Sequence, residues 1–541
     1  MRSIKGPLTV LFVGISLGCS PASEAVTIDE DERVMNLYWG DIHNHNSVGQ
    51  IKGSLERSYD IAMSHLDFFC FTPQSQWMDM VQIPQGKNAQ FERGFKATRD
   101  NWDKMKDLAE KFYQPGRFVP FLGYEVHFNS GDFHILFPDS DAELVYLPDA
   151  SAWHRFASEH NAILVPHHPG YKPGWRGFDW DLMDPAVSPV VEICSEHGNA
   201  ESDRSPIRYV RHSMGGRYTK STVQWLWKSG VKAGVVASSD DHLGFPGAHG
   251  EGLAAVWSES LDRKSIMEAI KARRTYGVNG DRIELQFRMN GRWMGEAIPD
   301  TGTREIAVKV RGEDVVDRVE VLKNNRVIYR DHPIDREQAT ARWEKPVLCK
   351  VEFGWGPWSA FDMPRICDWE FQLVVEGGRL LSVSPHFQSR PFDEERRNQV
   401  QAVEDNSFKV VSHTSRLNAF EDRATNDVVL KIQASPETTL TMVVTKPVEM
   451  TISKSLAELA EANEIRFTGA FSSESVMLHR AVFAENYESE FKFRDETGKG
   501  KTDWYYLRVV QTNGSLAWSS PIWVETTDNR QVAAITDDRR D

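Results

Sequence analysis

Residues 38–50 read YWGDIHNHNSVGQ and place two histidines one residue apart, directly after an apolar run. If that run is a strand, His43 and His45 point to the same side, because side chains alternate along an extended chain. Both imidazoles can then bind one metal ion. The other interpretation is a pair of surface histidines, and an HxH sequence alone does not decide between the two.

The segment between residues 36 and 280 alternates short apolar runs with amphipathic stretches. The apolar runs predict buried strands and are LYWGDIH, LDFFCF, FVPFLGYEV, FHILF, AILVPH, VVEIC and AGVVAS. Helices are predicted for SLERSYDIAMSHL, NWDKMKDLAEKFY, ASAWHRFASEH, STVQWLWKSG and DRKSIMEAIKARRTY. Strands that alternate with helices predict an α/β fold with a parallel sheet, and about seven such units indicate a closed or distorted barrel.

The pattern changes after residue 281. Runs such as IELQFRMNG, REIAVKVRG and DWYYLRVVQTNG alternate apolar and polar residues between turn signals such as NNR and TNG. They predict antiparallel strands arranged as a sandwich over residues 281–530, with a helical interruption at 452–465. Of the 17 histidines, 13 lie in the segment 36–280, and the other four (His332, His386, His413 and His479) are scattered without ligand spacing. We therefore assign the chemistry to the first domain, residues 36–280.

Residues able to bind metal ions recur at the ends of the predicted strands, where α/β folds gather their chemistry. Each one alone is explained equally well as a helix cap or a hydrogen-bonded core group, but five such strand ends predict a shared site. The mixture of imidazoles and carboxylates favours zinc, manganese or iron over calcium. The further candidates are Glu125, His167, His168, Glu192, Glu196, His197, Asp240, Asp241 and His242, with His134 at the start of its run.

Three of these motifs, GDIHNH, PHHPG and SSDDH, occur in an order that resembles the polymerase and histidinol phosphatase (PHP) superfamily. The resemblance implies a distorted (β/α)7 barrel, a site of two or three metal ions and, in many members, hydrolysis of phosphoesters. The segments LYWGD, LDFFCFT, VEICSEHG, SSDDHLGFPG and AWSSPIWV are similar to a subgroup of exported bacterial PHP-like proteins of unknown function. This closer resemblance covers nearly the whole chain after residue 36.

Carried over residue by residue, the resemblance implies a first ion held by His43, His45, Glu125 and Asp240. A second ion would share Glu125 and take His134 and His168. A third would use His242 and two more ligands, but the chain has Thr72-Pro73-Gln74 and Gly49-Gln50 where the superfamily supplies them. Glutamine amides are poor ligands for such ions. We therefore expect at most two divalent ions, which would be zinc, manganese or iron.

In a PHP-like enzyme a metal-bound water serves as the nucleophile. His167, His197 or His242 would protonate the leaving group, although His167 equally fits a hydrogen bond behind a metal ligand. Arg57, Lys172 and Arg176 are candidate anion contacts. The predicted function is a metal-dependent hydrolase, a phosphoesterase acting on a small-molecule or saccharide ester. Two alternatives stay open: an enzyme acting on another ester or a carbohydrate, such as a sulfated or acylated sugar, and a non-catalytic binding protein with a decayed third metal site.

The first 25 residues are typical of an export signal, since Arg2 and Lys5 precede the apolar run LTVLFVGISLG. Cleavage before Cys19 would give a lipoprotein, and cleavage after Ala25 would give an ordinary secreted chain. Either route predicts an exported protein, periplasmic or anchored to the membrane by lipid. In such a compartment Cys349 and Cys367 either form a disulfide or stay reduced.

The chain of 541 residues carries a net charge of −15 and has no block of lysine or arginine. These properties argue against nucleic acid as a partner, and no protein partner is evident. The mean hydropathy is −0.47. Trp355, Trp358 and Trp369 crowd one stretch of the second half, where they either stack on sugar rings or fill a core.

Overall fold

The computed structural model describes residues 34–49, 51–77, 88–128, 131–209, 214–337, 342–356, 363–416, 424–496 and 502–525. The predicted signal segment with Cys19, and also Gln50 and Trp358, lie outside these ranges. Within the ranges, no helix is both long and apolar enough to cross a bilayer.

In its described residues, the first half of the chain contains eleven strands and six helices. The strands are β1 (Asn36–Asp41), β2 (Phe68–Phe71), β3 (Gln74–Trp77), β4 (Val119–His127), β5 (Phe133–Phe137), β6 (Ile163–Pro166), β7 (Val190–Ser195), β8 (Gly198–Asn199), β9 (Gly234–Ala237), β10 (Leu253–Ser258) and β11 (Thr275–Asn279). The helices are α1 (Leu55–His65), α2 (Asn88–Asp100), α3 (Trp102–Lys111), α4 (Ala150–Glu159), α5 (Val223–Lys228) and α6 (Arg263–Lys271). Every predicted strand and helix of this half is present.

Helix α2 is an element that the sequence pattern does not predict. Its sequence NAQFERGFKATRD is mostly polar and contains Gly94, which lowers helix propensity. The helix buries Phe95 and Thr98 on one side, and Thr98 Oγ1 donates a hydrogen bond to the carbonyl oxygen of Gln74 (2.7 Å). Packing against β3 therefore stabilises a helix whose own sequence favours it only weakly.

The sheet of the first half is only partly parallel. Strands β1, β2 and β4 pair in parallel, and β3 adds to β4 in the same sense. Strands β5 and β6 are antiparallel to their neighbours, as are β10 and β11. The predicted α/β class is confirmed, but the uniformly parallel sheet is wrong, because the connection from β4 to β5 is too short to hold a crossover helix.

Strands β7 and β9 pair in parallel in a small separate sheet with β8. Thr275 Oγ1 in β11 donates a hydrogen bond to the carbonyl oxygen of Val235 in β9 (2.8 Å), so this small sheet lies against the large one. The described strands do not form a continuous hydrogen-bonded ring. A closed barrel therefore stays a prediction.

The second half is almost entirely antiparallel, as its alternating sequence predicts. Its strands are β12 (Glu284–Met289), β13 (Arg292–Trp293), β14 (Ala297–Pro299), β15 (Thr303–Arg311), β16 (Val316–Lys323), β17 (Arg326–Asp331), β18 (Val347–Gly354), β19 (Ile366–Glu376), β20 (Arg379–His386), β21 (Gln399–Glu404), β22 (Ser407–Ser415), β23 (Thr425–Gln433), β24 (Thr439–Lys446), β25 (Met450–Ser455), β26 (Glu464–Phe467), β27 (Ser475–Leu478), β28 (Glu488–Glu496), β29 (Asp503–Gln511), β30 (Leu516–Ser519) and β31 (Ile522–Glu525). The described residues of this half also contain two short helices, α7 (Leu456–Glu461) and α8 (Ala484–Tyr487).

Two five-stranded sheets of the second half enclose a common core. One has the order β20-β23-β18-β27-β26 and the other the order β21-β22-β19-β24-β25. Alternate residues of β19 are buried, among them Trp369 and Phe371, and they pack with Val351 and Phe353 of β18. Trp369 thus fills a core rather than a sugar-binding surface. Cys349 and Cys367 are both buried and free, so the disulfide is not formed.

Strands from the end of the chain join the sheet of the first half. Strand β30 is antiparallel to β11, and it connects through β29 to β31, β16 and β14. The buried carboxylate of Glu201 accepts hydrogen bonds from Arg508, Tyr506 and Trp518 of β29 and β30. The sheet therefore contains strands from both sides of residue 281. The domain boundary at that residue stays a prediction.

Candidate metal centre

Strand β1 carries the two histidines of the opening motif to the interior of the fold. Gly40 is required there, because a Cβ atom at this position would overlap the Phe68 ring of β2. His43 and His45 are buried. His43 Nδ1 lies 2.9 Å from Glu192 Oε2, and the backbone NH of His45 donates to the carbonyl oxygen of Asp241 (2.9 Å). The first contact orients the His43 imidazole, and the second fixes the backbone at His45.

Strands β4 and β5 supply a carboxylate and an imidazole side by side. Glu125 lies directly opposite His134 in the antiparallel register. The antiparallel direction explains why His134 begins its strand, since the start of β5 lies beside the end of β4. His127 follows Glu125 by two residues, and its Nε2 atom lies 2.6 Å from Glu125 Oε1.

The histidine pair after β6 completes one side of the cluster. His167 stacks on His43 with ring centroids 4.1 Å apart and an interplanar angle of 4°. Its Nδ1 atom lies 3.4 Å from Nδ1 of His134. His168 adopts a φ of 30°, and its Nε2 atom lies 3.6 Å from Asp132 Oδ2. The ligand groups of β4, β5 and β6 thus face one volume.

Asp240 lies at the centre of the cluster. Its oxygens approach Nε2 of His45 (3.0 Å), Nε2 of His197 (3.0 Å) and Nε2 of His43 (3.4 Å). His197 also contacts the Tyr171 hydroxyl through Nδ1 (2.8 Å). His242 lies at the solvent side, where 27% of its side chain is exposed and its Nδ1 atom is 2.8 Å from Glu196 Oε1.

Several of these polar atoms are buried and yet have no hydrogen bond of normal geometry. A buried donor or acceptor without a partner is costly, so such atoms usually mark a missing ligand. Here they belong to groups that face each other, and metal-ligating atoms within 4.8 Å of one another form overlapping sets such as His43, His45 and Glu125. The atoms are His43 Nε2, Glu125 Oε2, His127 Nδ1, His134 Nε2, His167 Nε2 and His168 Nδ1.

The electrostatics of the cluster favour added positive charge. Although burial acts against protonation, the carboxylates of Asp240 and Glu192 raise the pKa of His43 to about 10. Burial raises the pKa of Glu192 to about 7, against the effect of His43. Burial and the neighbouring His43 together lower the pKa of His167 to about 3. The carboxylates thus draw a cation into the site, while His167 stays neutral and able to bind one.

The structure brings every residue of the predicted ligand set into this cluster. His43, His45 and Glu125 form one set, and His45, Asp240 and His242 form another. His134 and His168 flank His167, which sequence reasoning placed among the proton donors but which belongs to two of the ligand sets. Asp132 and His127 were not predicted, although each is two residues from a predicted ligand.

The position predicted to lack a ligand lies beside Glu125. Gln74 of β3 pairs with Glu125 in the sheet register and is buried. Of the candidate anion contacts, Arg57 donates to the carbonyl oxygen of Gly244 (2.8 Å) and so holds a loop. Arg176 pairs with Asp132 and lies over the Trp77 ring, 4.7 Å from its centroid.

Comparisons of sequence with known proteins show similarity over limited parts of the chain. Residues 247–300 match the family described as "Protein of unknown function (DUF3604)". An uncharacterised protein of Chlamydia pneumoniae is 25% identical over 328 residues, 55% of this chain and 49% of that protein. One of Chlamydia trachomatis is 25% identical over 202 residues, 34% of this chain and 32% of that protein. The chain thus spans half or less of the length of these relatives.

A solved structure from Bacteroides vulgatus is described as a two-domain protein containing a predicted PHP-like metal-dependent phosphoesterase. The alignment covers 81% of this chain and all of that protein, with 12% sequence identity and a TM-score of 0.31.

Proposed function

We propose that this protein is a metal-dependent hydrolase of phosphoesters. The observation that carries the proposal is the convergence of buried, unpaired imidazole nitrogens and a carboxylate oxygen in one volume. A mixture of neutral imidazoles and carboxylates is the donor set preferred by zinc, manganese and iron. Native cores leave only a few buried polar atoms without a hydrogen-bond partner, and here six such atoms lie in one cluster.

Two ions fit the donors. His43, His45, Glu125 and Asp240 would hold one, and Glu125, His134 and His168, joined by His167 and Asp132, would hold the other. Bound divalent ions supply an activated water at neutral pH and neutralise charge on a phosphoryl oxygen. Gln74 occupies the position beside Glu125 and offers only an amide, which supports two ions rather than three.

Side chains near the ions would orient the metal ligands and protonate the leaving group. His197 is engaged through both ring nitrogens, by Tyr171 and by Asp240, so it orients a metal ligand. His242 is partly exposed beside Glu196 and can reach a substrate that enters from solvent. We assign His242 as the proton donor to the leaving group, and His197 as a positioning residue.

We also propose where the protein is located and which class of substrate it takes. The N-terminal sequence supports export to the periplasm or attachment to a membrane through a lipid on Cys19. A small-molecule or saccharide phosphoester is the substrate class that fits a compact, buried set of ions.

One preparation can test both metal binding and chemistry. Purified protein should hold two equivalents of divalent metal at this centre and release phosphate from mono- or diesters when supplied with Mn²⁺ or Zn²⁺. His43→Ala should abolish this activity and lower the metal content, whereas His413→Ala, a change in the β-sandwich at a histidine that contacts Asp368 (2.9 Å), should leave both intact.

Other outcomes decide between the alternatives. Turnover of sulfate esters or acylated sugars without phosphoester turnover would assign a different ester chemistry. Retained metal without turnover of any ester, together with thermal stabilisation by phosphate, would indicate a binding protein. Three equivalents of metal bound at this centre would contradict the assignment of two ions.

A further inference from the structure

A second buried cluster of imidazoles and carboxylates lies where the two halves of the chain meet. His249 belongs to the loop that follows the Asp240–His242 motif, and Asp281 lies two residues after the end of β11. His386 ends β20, and Asp427 lies in β23, both in the β-sandwich. His386 looked isolated in the sequence, but the fold places it against His249.

The ligand-type atoms of this cluster converge on one point. His249 Nε2 lies 3.0 Å from Asp281 Oδ1, and His386 Nδ1 lies 3.6 Å from the same oxygen. His386 Nδ1 is also 2.8 Å from Asp427 Oδ1. The two imidazole rings stack with centroids 4.4 Å apart and an interplanar angle of 9°. The imidazole nitrogens and carboxylate oxygens of this second cluster are thus 2.8–3.6 Å apart. In the first cluster, Asp240 lies at similar distances, 3.0–3.4 Å, from three imidazoles.

The atoms that point away from this centre are held by other groups. The far nitrogen of His386, Nε2, lies 3.1 Å from Glu313 Oε2. The far oxygen of Asp281 accepts hydrogen bonds from the side-chain amides of Gln511 (2.6 Å) and Asn513 (2.7 Å). Outer contacts of this kind orient the ligands of bound metals, and a carboxylate behind a ligating histidine is typical.

The charge of the cluster is not balanced by the protein. The carboxylates of Asp281, Glu313, Asp314 and Asp427 lie around two imidazoles, His249 and His386, and one lysine, Lys350. Asp281 is fully buried, and the other side chains are less than one-fifth exposed. Metal ligation requires neutral imidazoles, so the four carboxylates then exceed the lysine by three charges, and an uncompensated interior charge is strongly unfavourable.

We propose that a divalent cation binds between His249, Asp281, His386 and Asp427. Two imidazole nitrogens and two carboxylate oxygens form a four-ligand set, which favours zinc over the all-oxygen sites of calcium. A dication would also offset two of these three interior charges. All four positions are filled by protein atoms, so the centre is structural and has no open position for a substrate.

The cation would join the β-sandwich to the loop beside the primary metal centre. The backbone NH of His249 already donates to the carbonyl oxygen of Phe387 (2.8 Å). Two residues earlier, the NH of Gly247 donates to Asp41 Oδ2 (2.8 Å) at the end of β1. An ion held by residues of both halves therefore fixes the loop that also supports the strand bearing His43.

The test measures zinc in protein whose primary metal centre, the one at Asp240 and Glu125, is disabled by His43→Ala with Glu125→Ala, because Glu125 would serve both ions there. After dialysis against zinc and removal of free metal, this variant should retain about one equivalent, because the second centre is intact. Adding Asp427→Asn should remove it. Adding His479→Gln should not, since His479 is a comparable sandwich histidine that contacts a single carboxylate, Glu352 (2.8 Å).

Two further measurements keep the result decisive. Cobalt in the primary-centre variant should show the visible absorption of a four-coordinate site, and Asp427→Asn should abolish that absorption. If the primary-centre variant does not fold, Asp427→Asn alone should lower the total zinc of the otherwise unaltered protein by about one equivalent. Unchanged zinc on Asp427→Asn, or none in a folded primary-centre variant, would overturn the proposal and leave a hydrogen-bonded network. Neither result depends on phosphoester hydrolysis.

Discussion

Asp240 adopts a φ of 53°, a left-handed conformation that aspartate enters more readily than most residues. Its backbone NH donates to the carbonyl oxygen of His43 (2.7 Å), which fixes the turn. The carboxylate is thereby directed at His43, His45 and His197. A locally unfavourable backbone is thus maintained by a contact with His43, just after β1, and it places one carboxylate among three imidazoles.

Single residues differ in how far the sequence reveals them. Glu125, His168 and Asp240 end apolar runs, so the rule that ligands gather at strand ends finds them. Asp132 and His386 carry no such mark, because Asp132 lies in a short turn and His386 ends a strand of the other half. Their roles depend on approach through space, which a single sequence does not encode at fixed spacing.

Asp67 provides a prediction about pH. Its carboxylate accepts the NH of Trp39 (2.8 Å), and burial raises its pKa to about 6 from 3.8. A carboxyl group whose pKa is raised in the folded state stabilises that state when protonated, and this contribution is lost as pH rises from about 4 to 6. Relative to Asp67→Asn, the wild type should lose about 2 kcal/mol of unfolding free energy over that range. Parallel stability curves for the two proteins, measured by urea unfolding, would contradict this assignment.

Strand β4 holds the metal-facing carboxylate between close neighbours on both sides. It pairs in parallel with β2 and in antiparallel with β5, and all nine of its residues are buried. The run FVPFLGYEV predicts this strand well, because continuous apolar residues are typical of a strand buried on both faces. The direction of β5 is not predictable in the same way, because the apolar run FHILF is compatible with a parallel or an antiparallel strand.

Gly123 provides a prediction for this element. A Cβ atom there would lie 2.6 Å from Cys70 Sγ and would overlap the carbonyl oxygen of Ile135, so β4 would separate from β5. Gly123→Ala should lower stability by about 1–3 kcal/mol. It should also weaken metal binding by roughly tenfold or more, since Glu125 is two residues away. Chelator competition measures the affinity. Gly216→Ala, where no atom lies within 4 Å of the added carbon, should change neither property.

One sheet joins the beginning and the end of the chain. Strand β11 is covered by β30, and the largest hydrophobic core includes Trp39 and Tyr276 together with Trp518 and Trp523. The composition and the change of pattern at residue 281 predict two domains with antiparallel strands in the second. They do not predict this pairing, because the amphipathic pattern of AWSSPIWV is compatible with any sheet edge.

Glu201 provides a prediction for the whole molecule. It is fully buried and receives Arg508 Nη1 (2.9 Å), the Tyr506 hydroxyl (2.7 Å) and Trp518 Nε1 (3.0 Å). Glu201→Gln leaves Arg508 short of a buried counter-ion and should lower the free energy of unfolding by about 3 kcal/mol. Glu305→Gln removes an exposed pair with Arg494 (3.2 Å) and should cost less than about 0.5 kcal/mol. Equal effects of the two substitutions in urea unfolding would show that the Glu201 contacts do not hold the halves together.

The pairing of β11 with β30 also means that the sheet can be completed only late in the synthesis of the chain. Asn279 and Leu516, which are partners in that ladder, are separated by 237 positions. A ribosome that adds roughly 5–20 residues per second needs some tens of seconds to cover this interval. Until then the nascent first half presents Tyr276 and Val278 on an unpaired edge, and it cannot complete its own sheet. If translation stopped before β30, the truncated chain would therefore contain all the ligands of the first metal centre. It would lack the completed sheet that holds them in place.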